Sequence, residues 1–238
     1  VTFSSSVPQE QICDDPALNA TGSATISVLP YDNVLTKVDG QKKYISPSQC
    51  EADPQSGVPS CELETIADNI DVARWSIDAD VFGTCIHNYM AVHRWSSDEK
   101  YDETNVRNAS RVIDGFGLSG LVSAENLVKQ ADAFFTYLEK KYGKIDTIEH
   151  EIPFTRRKSG QVITGEIDLY VRTESGKGIL VDFKNPMTRK DTDDDALKDK
   201  AIKYWLQLEA YRDALSESDY PVNQVFIYYP LLGVVAKF

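Results

Sequence analysis

The stretch from Gly165 to Lys184 constrains this chain most. Two runs, Gly165-Glu166-Ile167-Asp168-Leu169-Tyr170 and Leu180-Val181-Asp182-Phe183-Lys184, set ionisable residues among apolar ones in the alternating pattern of a half-buried strand. Glu174-Ser175-Gly176-Lys177-Gly178 between them is turn-forming. A turn centred near Ser175 sets Tyr170 opposite Leu180 and Asp168 opposite Asp182, with Cβ atoms about 4.5–5.5 Å apart. Asp168, Asp182 and Lys184 then share one sheet face, and Ile167, Leu169, Val181 and Phe183 take the other. Opposed like charges destabilise a sheet. Either a cation offsets the repulsion, or the face is solvated and the two aspartates are unrelated. Hard oxygen ligands suit Mg²⁺ or Mn²⁺, and a lysine on the same face can position or deprotonate a water. The hairpin alone leaves both readings open.

The flanking pattern places this hairpin in an α/β core. Apolar residues from Val81 to about Arg94 recur with helical period, Cys85 among them. Ser123 is set to cap a helix that runs past Leu127, Phe134 and Leu138 and stops at Gly143. Three strands follow, Ile145–Pro153, Gln161–Arg172 and Gly178–Lys184. A charged segment, Asn185–Asp199, precedes a helix from about Lys200 to Leu215, and two strands, Asn223–Tyr229 and Leu232–Phe238, end the chain. The order α-β-β-β-α-β-β gives a central mixed β-sheet flanked by helices. Residues 1–60 read as an irregular N-terminal extension with short β-like pieces at Ala24–Leu29 and Lys43–Ile45, and a helical pattern starts near Cys61. The folded domain is expected over 61–238.

Composition excludes several classes. No apolar run approaches the roughly 20 residues of a membrane helix. The four cysteines include no Cys-x-x-Cys pair, which argues against a zinc ribbon or an iron–sulfur cluster, and they fit reduced thiols in a cytoplasmic protein. The formal charge of −12 runs against a general nucleic-acid coat with a basic face. No Gly-x-x-x-x-Gly-Lys-Ser/Thr pattern occurs, so the chain is not itself an ATP-driven motor.

Five pieces in order carry a resemblance. They are Gly83-Thr-Cys-Ile-His87 on a helix, Glu151 on a strand, Gly165-Glu-Ile-Asp168, Asp182-Phe-Lys184, and Gln207-Leu-Glu-Ala-Tyr211 on a helix, with Ser46-Pro47-Ser48 ahead of them. In this order they resemble the PD-(D/E)xK nuclease superfamily, most closely the RecB/AddA-type nuclease domain at the C-terminus of helicase–nucleases. The resemblance implies a restriction-endonuclease-like α/β core and a Mg²⁺- or Mn²⁺-dependent deoxyribonuclease. It further implies an exonuclease in DNA repair and recombination, with DNA as substrate and an upstream or associated helicase as partner. Asp168, Asp182, the Phe183 carbonyl and His87 would ligate the metal. Lys184 would orient or activate the attacking water, Glu151 would stand near the metal, and Gln207 and Tyr211 would contact the scissile phosphate or the DNA backbone. The family usually has Thr or Ser after the lysine, where this chain has Asn185.

The other readings are structural. His93 points away from His87 along the helix, and His150 is a strand residue, so both are taken as structural. Arg156-Arg157-Lys158 are expected at a solvated hairpin tip, with a grip on a phosphate backbone as the alternative, and Asp193-Asp194-Asp195 at a helix N-terminus or in a solvated stretch rather than at a second metal site. The competing functional class is a catalytically silent fold of the same kind that binds DNA ends or a partner protein.

Overall fold

The computed structural model describes residues 44–50, 59–70, 78–158, 160–185 and 193–238. The expected β-like piece at Ala24–Leu29 lies outside them. The turn at Ser175 forms, with Gly176 at φ 80 allowing the tight reversal. It joins β4 (Gln161–Thr173) to β5 (Gly178–Phe183), with Tyr170 opposite Leu180 as expected. The pairing stops at Leu169–Val181. Asp168 and Asp182 therefore are not a paired cross-strand couple, and the expected direct opposition is corrected. The strands part where two like charges would have met.

β4 holds its other neighbours by the same logic. Its full length pairs antiparallel with β3 (Ile145–Lys158), and its free early half pairs parallel with β1 (Tyr44–Ile45). Beyond β5 come β6 (Gln224–Tyr229), parallel to it, then antiparallel β7 (Val234–Lys237) and β2 (Glu62–Thr65). Cys61 thus precedes a strand, where a helical pattern was expected. Leu63 pairs with Ala236, and this tertiary pairing overrides the local pattern. β1 falls within the stretch read as irregular.

Helices cover both faces. α1 (Ala79–Val92), α2 (Asp102–Gly115) and α3 (Ala124–Tyr142) pack on one, with Ile86, Phe134, Leu169, Val181 and Phe183 in the core between. α4 (Asp194–Lys203) and α5 (Trp205–Ser216) pack on the other, over Ile167, Tyr170, Leu180 and Ile227. Ser123 caps α3 by accepting the Asn126 N–H at 3.2 Å, and Gly143 ends the helix at φ 105. Asp193 caps α4 through the Ala196 N–H at 2.8 Å, with Asp194 and Asp195 in its first turn.

Two sequence expectations change here. The single helix from Lys200 is two helices, beginning at Asp194 and breaking at Tyr204. α2 went unread because its buried stripe is thin and mixed, namely Asn105, Ala109 and Ile113. Asn105 earns burial by bonding both Arg94 backbone groups, at 3.0 and 2.9 Å.

The sheet changes phase at the site. Leu169 packs toward α1–α3, but Ile167, expected beside it, packs toward α4–α5 with Tyr170. On the neighbouring strand, Ile148 and Ile152 differ in the same way. Glu151 lies between them with φ 50, a left-handed value that reverses the alternation. Glu151 and Asp168 drop out of the ladder although the register is the same on both sides.

Ser46-Pro47-Ser48 opens a short 3₁₀ turn that packs on β4 at Gly165. A Cβ there would meet Pro47 Cγ at 2.7 Å and Cδ at 2.9 Å. Gly165→Ala is therefore expected to destabilise by about 1–3 kcal/mol. At Gly83 a Cβ meets nothing within 4 Å, so Gly83→Ala should stabilise α1 by up to about 1 kcal/mol. Urea denaturation of both variants checks the pair, and an unshifted Gly165→Ala would contradict this packing.

Candidate active site

Three elements bring the candidate residues to the point where β4 and β5 separate. Asp182 and Phe183 end β5, and Lys184 and Asn185 follow it. Asp168 stands across the gap on β4, and its Oδ2 accepts the Phe183 N–H at 2.6 Å. A side chain thus takes up an N–H beyond the end of the ladder. α1 supplies His87, whose Nδ1 is 3.5 Å from Asp168 Oδ2. Phe183 anchors this corner: its ring meets His87 edge-on at 5.8 Å and sits beside Phe134 and Tyr228.

The opposite side is braced from α5. Asp182 is fully buried. Its Oδ1 accepts from Gln207 Nε2 at 3.1 Å, and the same nitrogen donates to the Tyr211 hydroxyl at 2.6 Å. Its Oδ2 is 2.7 Å from Lys184 Nζ, a charge contact without well-directed hydrogen bonding. Lys184 Nζ also lies over the Tyr204 ring, 4.8 Å from its centroid.

A cleft of about 570 Å³ opens onto this cluster, lined by Asp80, Gly83, Thr84, His87 and Asn88 of α1, and by Glu151, Phe183, Lys184 and Asn185. The structure thus gathers Asp168, Asp182, Phe183, Lys184, His87, Gln207 and Tyr211, with Glu151 on the cleft wall. Both amide ends of Asn185 are buried without a hydrogen-bond partner among the described residues. The sequence reading missed Tyr204, which helical spacing from Gln207 would have found. It also missed Asp80 and Thr84, which helical spacing from His87 would have found.

Burial sets the protonation states. The Asp168 carboxyl is pushed up to about 6 by burial, against the pull of Lys184 and the Phe183 N–H. Asp182 is pushed up to about 6 by burial and by Asp168, again against Lys184. Burial lowers the His87 pKa, and the Lys184 charge adds to this, so its imidazole is neutral at pH 7 and has a lone pair to offer. Burial pulls Lys184 down, but Asp182 and Asp168 outweigh it, and the ammonium stays charged. Glu151 is raised by burial and by its neighbour Glu166.

The donor chemistry fits a hard divalent cation: two carboxylates and a neutral imidazole, with a buried Asp182 oxygen lacking a directed partner. Among the described residues, no three His, Cys, Asp or Glu side chains are grouped to hold an ion as they stand. The oxygens are turned toward Phe183 N, Gln207 and Lys184 instead.

Other candidates are structural. His93 is buried at the end of α1 between the Tyr89 hydroxyl, 2.8 Å from Nδ1, and Asp132, 3.1 Å from Nε2. Arg156 is not a free hairpin tip: it reaches Asp213 at 2.7 Å and Glu217 at 2.8 Å. The reason is that β3 runs beside α5, which puts these carboxylates within reach.

A family model of the PD-(D/E)XK nuclease superfamily matches residues 63–232. The chain belongs to the PD-(D/E)XK nuclease superfamily. The seven-stranded mixed sheet with helices on both faces is the α/β restriction-endonuclease-like fold of that superfamily. Among solved structures, "Crystal structure of SSO0001" is 16% identical over 63% of this chain and 72% of its own, with a TM-score of 0.28, too distant to bear on function. No curated protein matches. No described helix of this PD-(D/E)XK chain is long and apolar enough to cross a membrane.

The shifts set a pH dependence. Protons occupy Asp168 and Asp182 as pH falls through about 6 and compete with a cation. Mn²⁺ affinity is therefore expected to fall about tenfold between pH 7.5 and 5.5. Calorimetric titration at the two values measures this, and a flat affinity would remove both carboxylates from the ligand set. Stability without metal follows opposing signs. The raised carboxyls favour the fold most at acid pH, a contribution lost as pH rises through about 6. His150, pushed down by burial to about 4, works the other way, losing stability as pH falls from 6.5 toward that value.

Proposed function

We propose that this chain is a divalent-metal-dependent DNA nuclease that hydrolyses phosphodiester bonds. We assign it an exonuclease role in repair and recombination in the cytoplasm, on strands supplied by a helicase joined to it or bound to it. The observation that carries the reading is the Asp182–Lys184 contact of 2.7 Å, fully buried on the aspartate side, at the mouth of a cleft. A fold that kept this site for stability alone would gain more from apolar residues, because burying an ion pair costs desolvation.

His87, Asp168, Asp182 and the Phe183 carbonyl would hold the cation, Mg²⁺ or Mn²⁺. When bound, it would supply Lewis acidity toward the scissile phosphate and lower the pKa of a water. The residues do the rest. Asp182 is held in place by Gln207, so its carboxylate needs little reorganisation. The charged Lys184 orients the attacking water and stabilises charge that develops on the phosphate oxygens. Asn185, whose amide has no partner among the described residues, offers donors to a phosphate oxygen. Tyr211 and Gln207 contact the backbone of the strand, and Glu151 receives or passes a proton at the cleft wall.

The charge of −12 supports the delivered-substrate part of this reading. The cleft wall itself carries Asp80 and Glu151, so the domain has little long-range attraction for DNA. Binding should therefore be weak.

Linear single- and double-stranded DNA incubated with the protein and Mg²⁺, Mn²⁺ or EDTA tests the reading. Degradation is expected with metal and not with EDTA. Asp182→Ala and Lys184→Ala should each lower the rate at least about 100-fold. Equal degradation by the parent and both variants would sink the enzyme reading. DNA-end binding with no cleavage in any metal would favour the silent-module class instead.

A further inference from the structure

We propose that Tyr204 is a positioning residue for Lys184, its ring face holding the ammonium over Asp182. What the lysine does rests on the nuclease reading above, whereas the contact itself is independent of it.

Lys184 Nζ is 4.8 Å from the Tyr204 ring centroid, inside the roughly 6 Å reach of a cation–π interaction. Asp182 Oδ2 lies 2.7 Å from the same nitrogen. A lysine stem has several rotatable bonds, and one carboxylate contact does not fix where its ammonium sits. A ring face adds the second constraint. It also takes no N–H: all three donors remain for Asp182, a water and a phosphate oxygen. A carboxylate in the same place would hold the cation as well but would neutralise it.

The backbone supplies a second observation. α4 and α5 meet at Tyr204, whose N–H bonds to both Ala201 and Ile202 carbonyls. Lys203-Tyr204-Trp205 contains neither Pro nor Gly, the usual local causes of a helix break. The cause is then tertiary. Beyond the break, Tyr204, Gln207 and Tyr211 fall at helical spacing on one stripe. Gln207 reaches Asp182 and Tyr211, and Tyr204 reaches Lys184. Trp205 turns aside to Phe238, with ring centroids 5.2 Å apart. The break thus aims one aromatic ring at the cation and the next at the core edge.

The test uses Tyr204→Phe, Tyr204→Met, Lys184→Met and the Tyr204→Met/Lys184→Met double variant. With Mn²⁺ and linear DNA, Tyr204→Phe should keep kcat within about twofold, while Tyr204→Met should lower it about tenfold at nearly unchanged KM. In urea, Tyr204→Met should lower the unfolding midpoint in the parent background and clearly less in Lys184→Met. In the parent itself, the ring current should shift the Lys184 Hε protons upfield in NMR spectra. Tyr204→Phe as damaging as Tyr204→Met, equal midpoint shifts in both backgrounds, or unshifted Hε protons would each overturn the proposal. Should the parent lack nuclease activity, the nuclease reading fails, while the urea cycle and the Hε shift still decide the contact.

Discussion

Everything at the site depends on β4 and β5 parting after Leu169 and Val181. Two carboxylates held opposite each other would repel along an unbroken ladder. The separation opens the site, yet the two carboxylates still feel each other, because Asp168 raises the Asp182 pKa. The backbone groups it frees are not left bare. Asp168 takes the Phe183 N–H, and Lys184 N bonds to the Tyr228 carbonyl on the neighbouring parallel strand. β4 then turns its unpaired half to β1.

The electrostatics follow from that geometry. A carboxylate as deeply buried as Asp182 favours its neutral form. Burial and Asp168 push its pKa up to about 6, and the nearby Lys184 charge limits that rise, so it stays charged at neutral pH. The lysine is in turn kept as an ammonium by the same aspartate. The pair is mutually dependent: removing either partner leaves a buried charge without a counterpart. The chain's acid excess argues at first against a nucleic-acid substrate. On the proposed nuclease reading, some of that excess would serve as cation ligands, and affinity for DNA would then depend on a bound metal.

Rigidity around the site comes from aromatic packing. Phe134 stacks on Tyr228 at 4.3 Å, and both contact Phe183, whose ring supports His87. A side chain one residue from the buried aspartate is thereby locked into the larger core, so the loop that carries Lys184 starts from a fixed point.

Much of this was legible in the sequence. Alternation marked the hairpin strands, Gly176 and its neighbours set the register, and Ser123 and Gly143 marked helix ends, because these signals depend on local backbone sterics and hydrogen bonding. The hairpin register set Asp168, Asp182 and Lys184 on one face, the family resemblance pointed to His87, Gln207 and Tyr211, and the structure brings these side chains to one place. Tertiary structure decided the rest. Strand alternation cannot report a phase reversal, so the left-handed backbone at Glu151 and the turn of Ile167 to the opposite face were invisible. β2 is a strand because β7 offers an edge, and Tyr204 breaks a helix without Pro or Gly. The sequence determined which residues carry charge and which faces they start from. The long-range packing of sheet edges and helices alone decided where the ladder ends, and hence which of those charges meet.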